Sequence, residues 1–127
     1  MEDIIETIKK RLPPGTVIPK PESVSEFRIK DWKGEGDDEE LAYIIPSHAD
    51  PPRPSSKRIP SRRIRASFAR LMSTGELTHA WFTTTAKNGK VEGGCNFTTV
   101  GGIFCFLGFA EHAGRGRYRK VVPQGTK

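Results

Sequence analysis

The residues best equipped for chemistry in this 127-residue chain carry cations and hydroxyls, and they gather late in the sequence. Thr98 and Thr99 sit together within NFTTVGGIFCF, and Arg115, Arg117, Arg119 and Lys120 follow in GRGRYRK. Arg62 and Arg63 form a second basic pair in SRRIRASFAR. Guanidinium groups offer planar donor forks that fit phosphate or carboxylate oxygens, and threonine hydroxyls both donate and accept. These are groups for binding. Groups for catalysis are sparse: His48, His79 and His112 are widely spaced, with no metal-ligand repeat and no nucleophile-elbow, Walker or H-E-x-x-H pattern. His48 with Asp50 lacks the further carboxylates that metal-dependent phosphodiester cleavage needs. The acidic run Asp37 to Glu40 lacks the glycine and terminal glutamate of a calcium loop. Cys95 and Cys105 are too few for a disulfide framework or a structural zinc site. No catalytic residue, metal or cofactor is expected, and the chain reads as non-enzymatic.

Charge sharpens this. Residues 1–50 hold seven Lys/Arg against twelve Asp/Glu, whereas residues 51–127 hold fourteen against three. A net of -5 followed by +11 within an overall +6 points to a polyanionic partner for the second half. Apolar content of 35% implies a modest core, and 13 Gly with 10 Pro imply many turns. No stretch approaches the roughly 18 apolar residues of a membrane helix, and the charged start lacks a signal peptide's apolar region. A cytoplasmic protein without membrane contact is expected.

The elements that must position the cationic residues follow from periodicity. Asp3 to Leu12 predicts a short amphipathic helix, with Ile4, Ile5, Ile8 and Leu12 on one face, stopped by Pro13-Pro14-Gly15. Thr16 to Pro21 is an edge strand or a loop. Phe27 to Asp31 and Leu41 to Ile45 alternate like half-buried strands around a Gly-rich acidic hairpin loop. Residues 47–60, rich in Pro and Ser, read as a linker or long surface loop. Ser61 is placed to cap a helix running to about Ser73, with Ile64, Phe68, Leu71 and Met72 inward, the arginines mostly off that face, and Gly75 at its end.

Residues 77–95 read in two ways. Either Thr78 caps a second helix through His79 to Phe82, or Leu77 to Thr85 is a strand that turns at Asn88-Gly89. Asn96 or Thr98 then caps a further helix through Val100, Ile103, Phe104 and Leu107, closed by Gly108. Gly101 and Gly102 inside it suit close packing better than ligand contact. An Ala-Gly-Arg-Gly turn leads into the last strand, which puts Arg117 and Arg119 on one face and Tyr118 and Lys120 on the other. The phenylalanines and Trp81 are expected in the core, unless Trp81 and Tyr118 form an exposed pair able to stack on bases.

In order, residues 61–122 give a helix, a turn, a second helix in one reading, a third helix and a cationic hairpin. This resembles the winged helix-turn-helix class of DNA-binding domains, with one departure: the Lys87-to-Gly94 connection is long and Gly-rich. The fold class expected is α+β, a small N-terminal helix and β-hairpin (residues 1–46) followed by a winged-helix-like unit (residues 61–122) and a tail (residues 123–127), or one compact domain overall. The resemblance implies a nucleic-acid-binding surface made of Thr98, Thr99, Arg115, Arg117, Arg119, Lys120, Arg62 and Arg63. The threonines would meet base edges or phosphates and the wing arginines the backbone, with Arg115 and Arg117 as the foremost pair. Duplex DNA is the expected partner. RNA on the same surface and a protein partner are the alternatives. A regulator or accessory factor of a phage or mobile element is one setting that fits the small size.

Overall fold

The computed structural model describes residues 3–20, 26–46, 55–85 and 94–121, the side chains at 94 and 95 aside. The chain opens with α1 (Ile4–Arg11), which turns Ile4, Ile5, Ile8 and the following Leu12 into the core and stops at the two prolines. Four strands follow: β1 (Val17–Ile18), β2 (Phe27–Lys33), β3 (Glu40–Ile45) and β4 (Ser55–Pro60). They pair antiparallel in the order β1-β2-β3-β4, with Phe27, Ile29, Leu41, Tyr43 and Ile59 buried. The fold is α+β.

β4 corrects the expected linker over residues 47–60: its second part is a strand in register with β3 from Glu40↔Pro60 to Ile45↔Ser55. Only Ile59 of β4 is buried, so the strand is held by backbone pairing and carries no alternating apolar signature. Residues 47–54 lie outside the described set.

The second half begins with α2 (Ser61–Thr74), ended by Gly75 at φ +84°. The N-cap position belongs to Pro60 and not to Ser61, the first helical residue, whose N–H donates to Glu39 O at 2.8 Å. Of the two readings of residues 77–95, the helical one matches its described part. β5 (Glu76–Thr78) leads into α3 (His79–Thr84), and Thr78 Oγ1 accepts from Trp81 N at 3.2 Å. The Asn88-Gly89 turn falls outside the described residues. Next come α4 (Gly94–Phe106), β6 (Ala110–His112) and β7 (Arg117–Lys120), and the second sheet has the antiparallel order β5-β7-β6.

α4 starts before both expected caps, Asn96 and Thr98, which lie inside it. Its end is as expected. Gly108 adopts φ +83°, its N–H meets Cys105 O at 3.1 Å, and Phe109 N–H meets Phe104 O at 2.9 Å, which satisfies carbonyls left over by the last turn.

The environment of α4 is the main departure from expectation. One side packs on α2, α3 and β6, and the other is covered by β1 and β4 of the large sheet. Phe97, Thr99, Val100, Ile103 and Phe104 are all buried, and Phe106 is the exception at 40% exposure. The paired glycines make this possible. A Cβ on Gly101 would lie 2.3 Å from Tyr118 Cζ, and one on Gly102 would lie 2.1 Å from the backbone oxygen of Pro19. Packing is therefore their role.

One apolar cluster runs from Ile4 through Tyr43, Leu71 and Phe104 to Tyr118, so the acidic and basic halves share a core. Ion pairs join the halves at the surface, where Arg58 meets Glu40 at 3.7 Å and Arg65 meets Asp3 at 3.0 Å, while Lys9 and Glu39 pair at 2.8 Å within the acidic half. The hydrogen bond from Arg65 holds the Asp3 carboxyl below its ordinary value, against the opposing effect of desolvation and with help from the Arg65 charge.

Candidate functional site

The 113–116 turn is built by two glycines with positive φ, Gly114 at +126° and Gly116 at +72°. Ala113 N–H bonds Arg117 O and Arg117 N–H bonds Gly114 O, each at 3.0 Å, which closes the hairpin. Gly116 O then accepts from His79 N–H at 2.9 Å and docks the turn on the start of α3. A Cβ at Gly116 would already touch His79 Cβ at 3.4 Å. Between this turn, the start of α3 and the first turns of α4 opens a cleft of about 750 Å³.

Its polar walls are His79, Thr98, His112, Arg115 and Arg117, over a floor of Phe97 and Tyr118. No carboxylate is among the described lining residues. Arg115 is exposed and has no ion-pair partner among the described residues. Arg117 is held by Glu76, its Nη2 donating to Oε1 at 2.5 Å across β5 and β7. Thr98 is half-buried and accepts a hydrogen bond from Lys20 Nζ.

Three of the eight expected contact residues thus converge on the cleft: Thr98, Arg115 and Arg117. The others are elsewhere. Arg119 is exposed on β7 but donates to Glu111, its neighbour on β6. Lys120 is half-buried at the end of β7 and Arg62 is exposed at the start of α2; neither lines the cleft.

Two expectations are overturned by burial. Thr99 is fully buried and its Oγ1 has no partner among the described residues, so it faces packed side chains and no ligand. Arg63 is 7% exposed, and its Nη2 donates to Phe82 O at 2.6 Å and its Nη1 to Thr85 Oγ1 at 2.8 Å. Its guanidinium also sits 4.2 Å from the Phe82 ring centre, which makes Arg63 a bracket between α2 and α3. The stacking pair of Trp81 and Tyr118 is excluded too. Tyr118 is 2% exposed, and Trp81 packs at the core's edge with Arg70 above it.

The histidines and Lys20 were not foreseen as part of this surface. His79 and His112 look isolated in the sequence, and only the pairing of β6 with β7 and the docking of Gly116 on His79 bring them to one cleft. The usable signal was the Gly-Arg-Gly turn, because a glycine beside an arginine allows close approach to another backbone. What the described residues of this arrangement offer is donors and cations with no acid among them. Among the described residues, no group of three or more His, Cys, Asp or Glu could hold a metal, and no helix is long and apolar enough to cross a membrane. Comparison with protein families, with curated proteins and with solved structures found no match.

Proposed function

We propose that this chain is a small non-enzymatic nucleic-acid-binding protein that grips duplex DNA by its phosphates, with the 113–117 turn acting as a wing. The observation that carries the reading is the cleft itself. It sets Arg115, without an ion-pair partner among the described residues, a second arginine and the Thr98 hydroxyl around one opening that no described carboxylate lines. Support also comes from the order of elements, helix, strand, helix, helix and hairpin with sheet order β5-β7-β6, which is winged-helix-like.

The mode differs from that of a helix-turn-helix reader. Base readout needs a helix face standing clear of its own protein, and α4 is covered on both sides. Binding through arginines to phosphates carries little sequence information. The chain would therefore act as a sequence-tolerant accessory factor in the cytoplasm. A protein-interaction role has less behind it: the large exposed hydrophobics among the described residues are Val17 at 38% and Phe106 at 40%, and scattered singles are ordinary.

Fluorescence anisotropy with a random duplex tests this. Affinity should fall with rising salt with a log-log slope of about -2 to -3, as two or three neutralised phosphates require. The double variant R115A/R117A should weaken binding to every sequence and flatten the slope by about 2, while melting like the parent. Absence of binding at low salt, or unchanged affinity in the double variant, would overturn the proposal. Tighter binding of single-stranded RNA than of the duplex would replace DNA as the partner.

A further inference from the structure

The second sheet has two unlike faces. Leu77, Tyr118 and His112 are partners in the pairing of β5, β7 and β6, and Leu77 and Tyr118 are buried against the core. Strand alternation turns the next row the other way. That row is Glu76, Arg119 and Glu111, again partners across the three strands. Arg117, which also lines the cleft, joins the same face two residues before Arg119.

On this outer face each arginine is held by a carboxylate. Arg117 Nη2 donates to Glu76 Oε1 across β5 and β7, and Arg119 Nε donates to Glu111 Oε1 across β7 and β6, each at 2.5 Å. A carboxylate oxygen takes the same guanidinium donors as a phosphate oxygen. Its charge also repels an arriving phosphate, over a range of about 8 Å at physiological salt. The four side chains are 45% to 63% exposed, so water competes for every group. A pair in that setting is favoured over its open form by about fivefold at most. These pairs are strong enough to occupy the arginines and weak enough to release them.

We propose that the outer face of this sheet is a phosphate-contact surface continuous with the 113–117 turn, and that Glu76 and Glu111 restrain it by occupying Arg117 and Arg119. The proposal rests on the nucleic-acid reading and extends its surface from the cleft onto the sheet. Arg117 and Arg119 stand two residues apart on one strand, a step of about 7 Å. Successive phosphates of a nucleic-acid strand follow one another at a similar step. Arg115, in the turn, meets its phosphate unhindered. Arg117 shares its donor fork with Glu76, and Arg119 reaches a phosphate once Glu111 lets go. The grip stays loose, which suits a sequence-tolerant factor that slides along a duplex.

The test is anisotropy with the full chain and a random duplex, comparing the parent with E76Q/E111Q, checked for an unchanged melting curve. The variant should bind about tenfold tighter. Its salt slope should steepen by about one unit as Arg119 joins the contact. A charge-matched control, E35Q/D38N, loses two exposed carboxylates from the loop between β2 and β3. That loop meets the start of α2, where Ser61 N–H bonds Glu39 O, whereas β5 follows the end of α2, about 20 Å further along the helix. The control should bind like the parent. The gain should also need the arginines, so that E76Q/E111Q added to R117A/R119A brings no tightening.

An equal gain in the control would show net charge alone at work and overturn the restraint. Unchanged or weaker binding by E76Q/E111Q, with the parent bound, would overturn it too and leave the nucleic-acid reading standing. If neither parent nor variant binds at low salt, both fall together. Should E76Q/E111Q melt early, E111Q alone, which leaves β5 untouched, must show tighter binding and a steeper slope for the proposal to stand.

Discussion

α2 and α4 are helices of nearly equal length, 14 and 13 residues, and they solve opposite problems. α2 buries one stripe, Ile64, Ser67 and Leu71, and leaves Arg62, Ala66, Ala69 and Arg70 to solvent. α4 is apolar on nearly every side and is enclosed by a sheet on one flank and helices on the other. The helix nearest the cationic turn is thus the least able to leave the protein, and it serves as the strut on which the turn and the cleft are mounted. The proposed contact chemistry is displaced to the rim of the cleft at its first turns, where Thr98 meets the arginines of the hairpin.

This comparison is open to experiment. The largest effect should come from Gly102→Ala. The added Cβ would have to displace the backbone at Pro19, which no side-chain rotation can do. Overpacking of this kind outweighs alanine's helical advantage of about 1 kcal/mol, and a net loss of about 2–3 kcal/mol is expected in chemical denaturation. Stability equal to the parent would mean that β1 does not clamp α4.

Cys105 reports on the same enclosure. Burial, with a smaller contribution from Glu111, pushes its thiol from 9.0 up to about 11. Thiolate at pH 8 should be about a hundredfold scarcer than for an ordinary thiol, and alkylation slowed accordingly. Peptide-resolved mass spectrometry separates it from Cys95, and labelling at the rate of a free thiol would show this flank of α4 to be open.

On the α2 side, Arg63→Ala should cost about 2 kcal/mol, because Phe82 O loses a buried charged donor. DNA affinity should stay unchanged, since Arg63 is a bracket and has no place in the proposed contact.

The smallest effect is expected from Asp3→Asn, which removes the pair with Arg65. Both side chains are about two-fifths exposed, so screening limits the loss to about 0.5 kcal/mol. The folded-state value of Asp3 is depressed, so its contribution is fully present above the ordinary 3.8 and disappears as the pH falls through the lower folded value. Acid unfolding of the parent and of Asp3→Asn should converge below that range.

Local signals in the sequence were reliable where a backbone rule acts alone. Pro13-Pro14, Gly75 and Gly108 end their helices as expected, because fixed φ or freedom at positive φ decides the matter within a few residues. Signals failed where tertiary partners compete. Asn96 looks like a cap, yet it accepts from Tyr43 at 2.6 Å and donates to Arg58 O at 3.4 Å, and the helix passes through it. Arg63 looks like a surface cation because arginine so often is, and the carbonyl that draws it inward belongs to another helix. β4 was illegible for a different reason: an edge strand can be held by its backbone alone. Of the candidate site, the turn and its arginines were legible, while the histidines depended on strand pairing that no local pattern records.

The enclosure of α4 also bears on how the chain comes off the ribosome. Ile18 and Tyr43 belong to strands made early, but the helix that covers them is made only after residue 94. Until then the large sheet has an unroofed apolar face, a state in which nascent chains attract chaperones and one another. Contacts between residues so far apart in sequence also delay folding, since a long loop must close before it is rewarded. Sealing of the first sheet should therefore wait for α4 to emerge, well after its own strands are made.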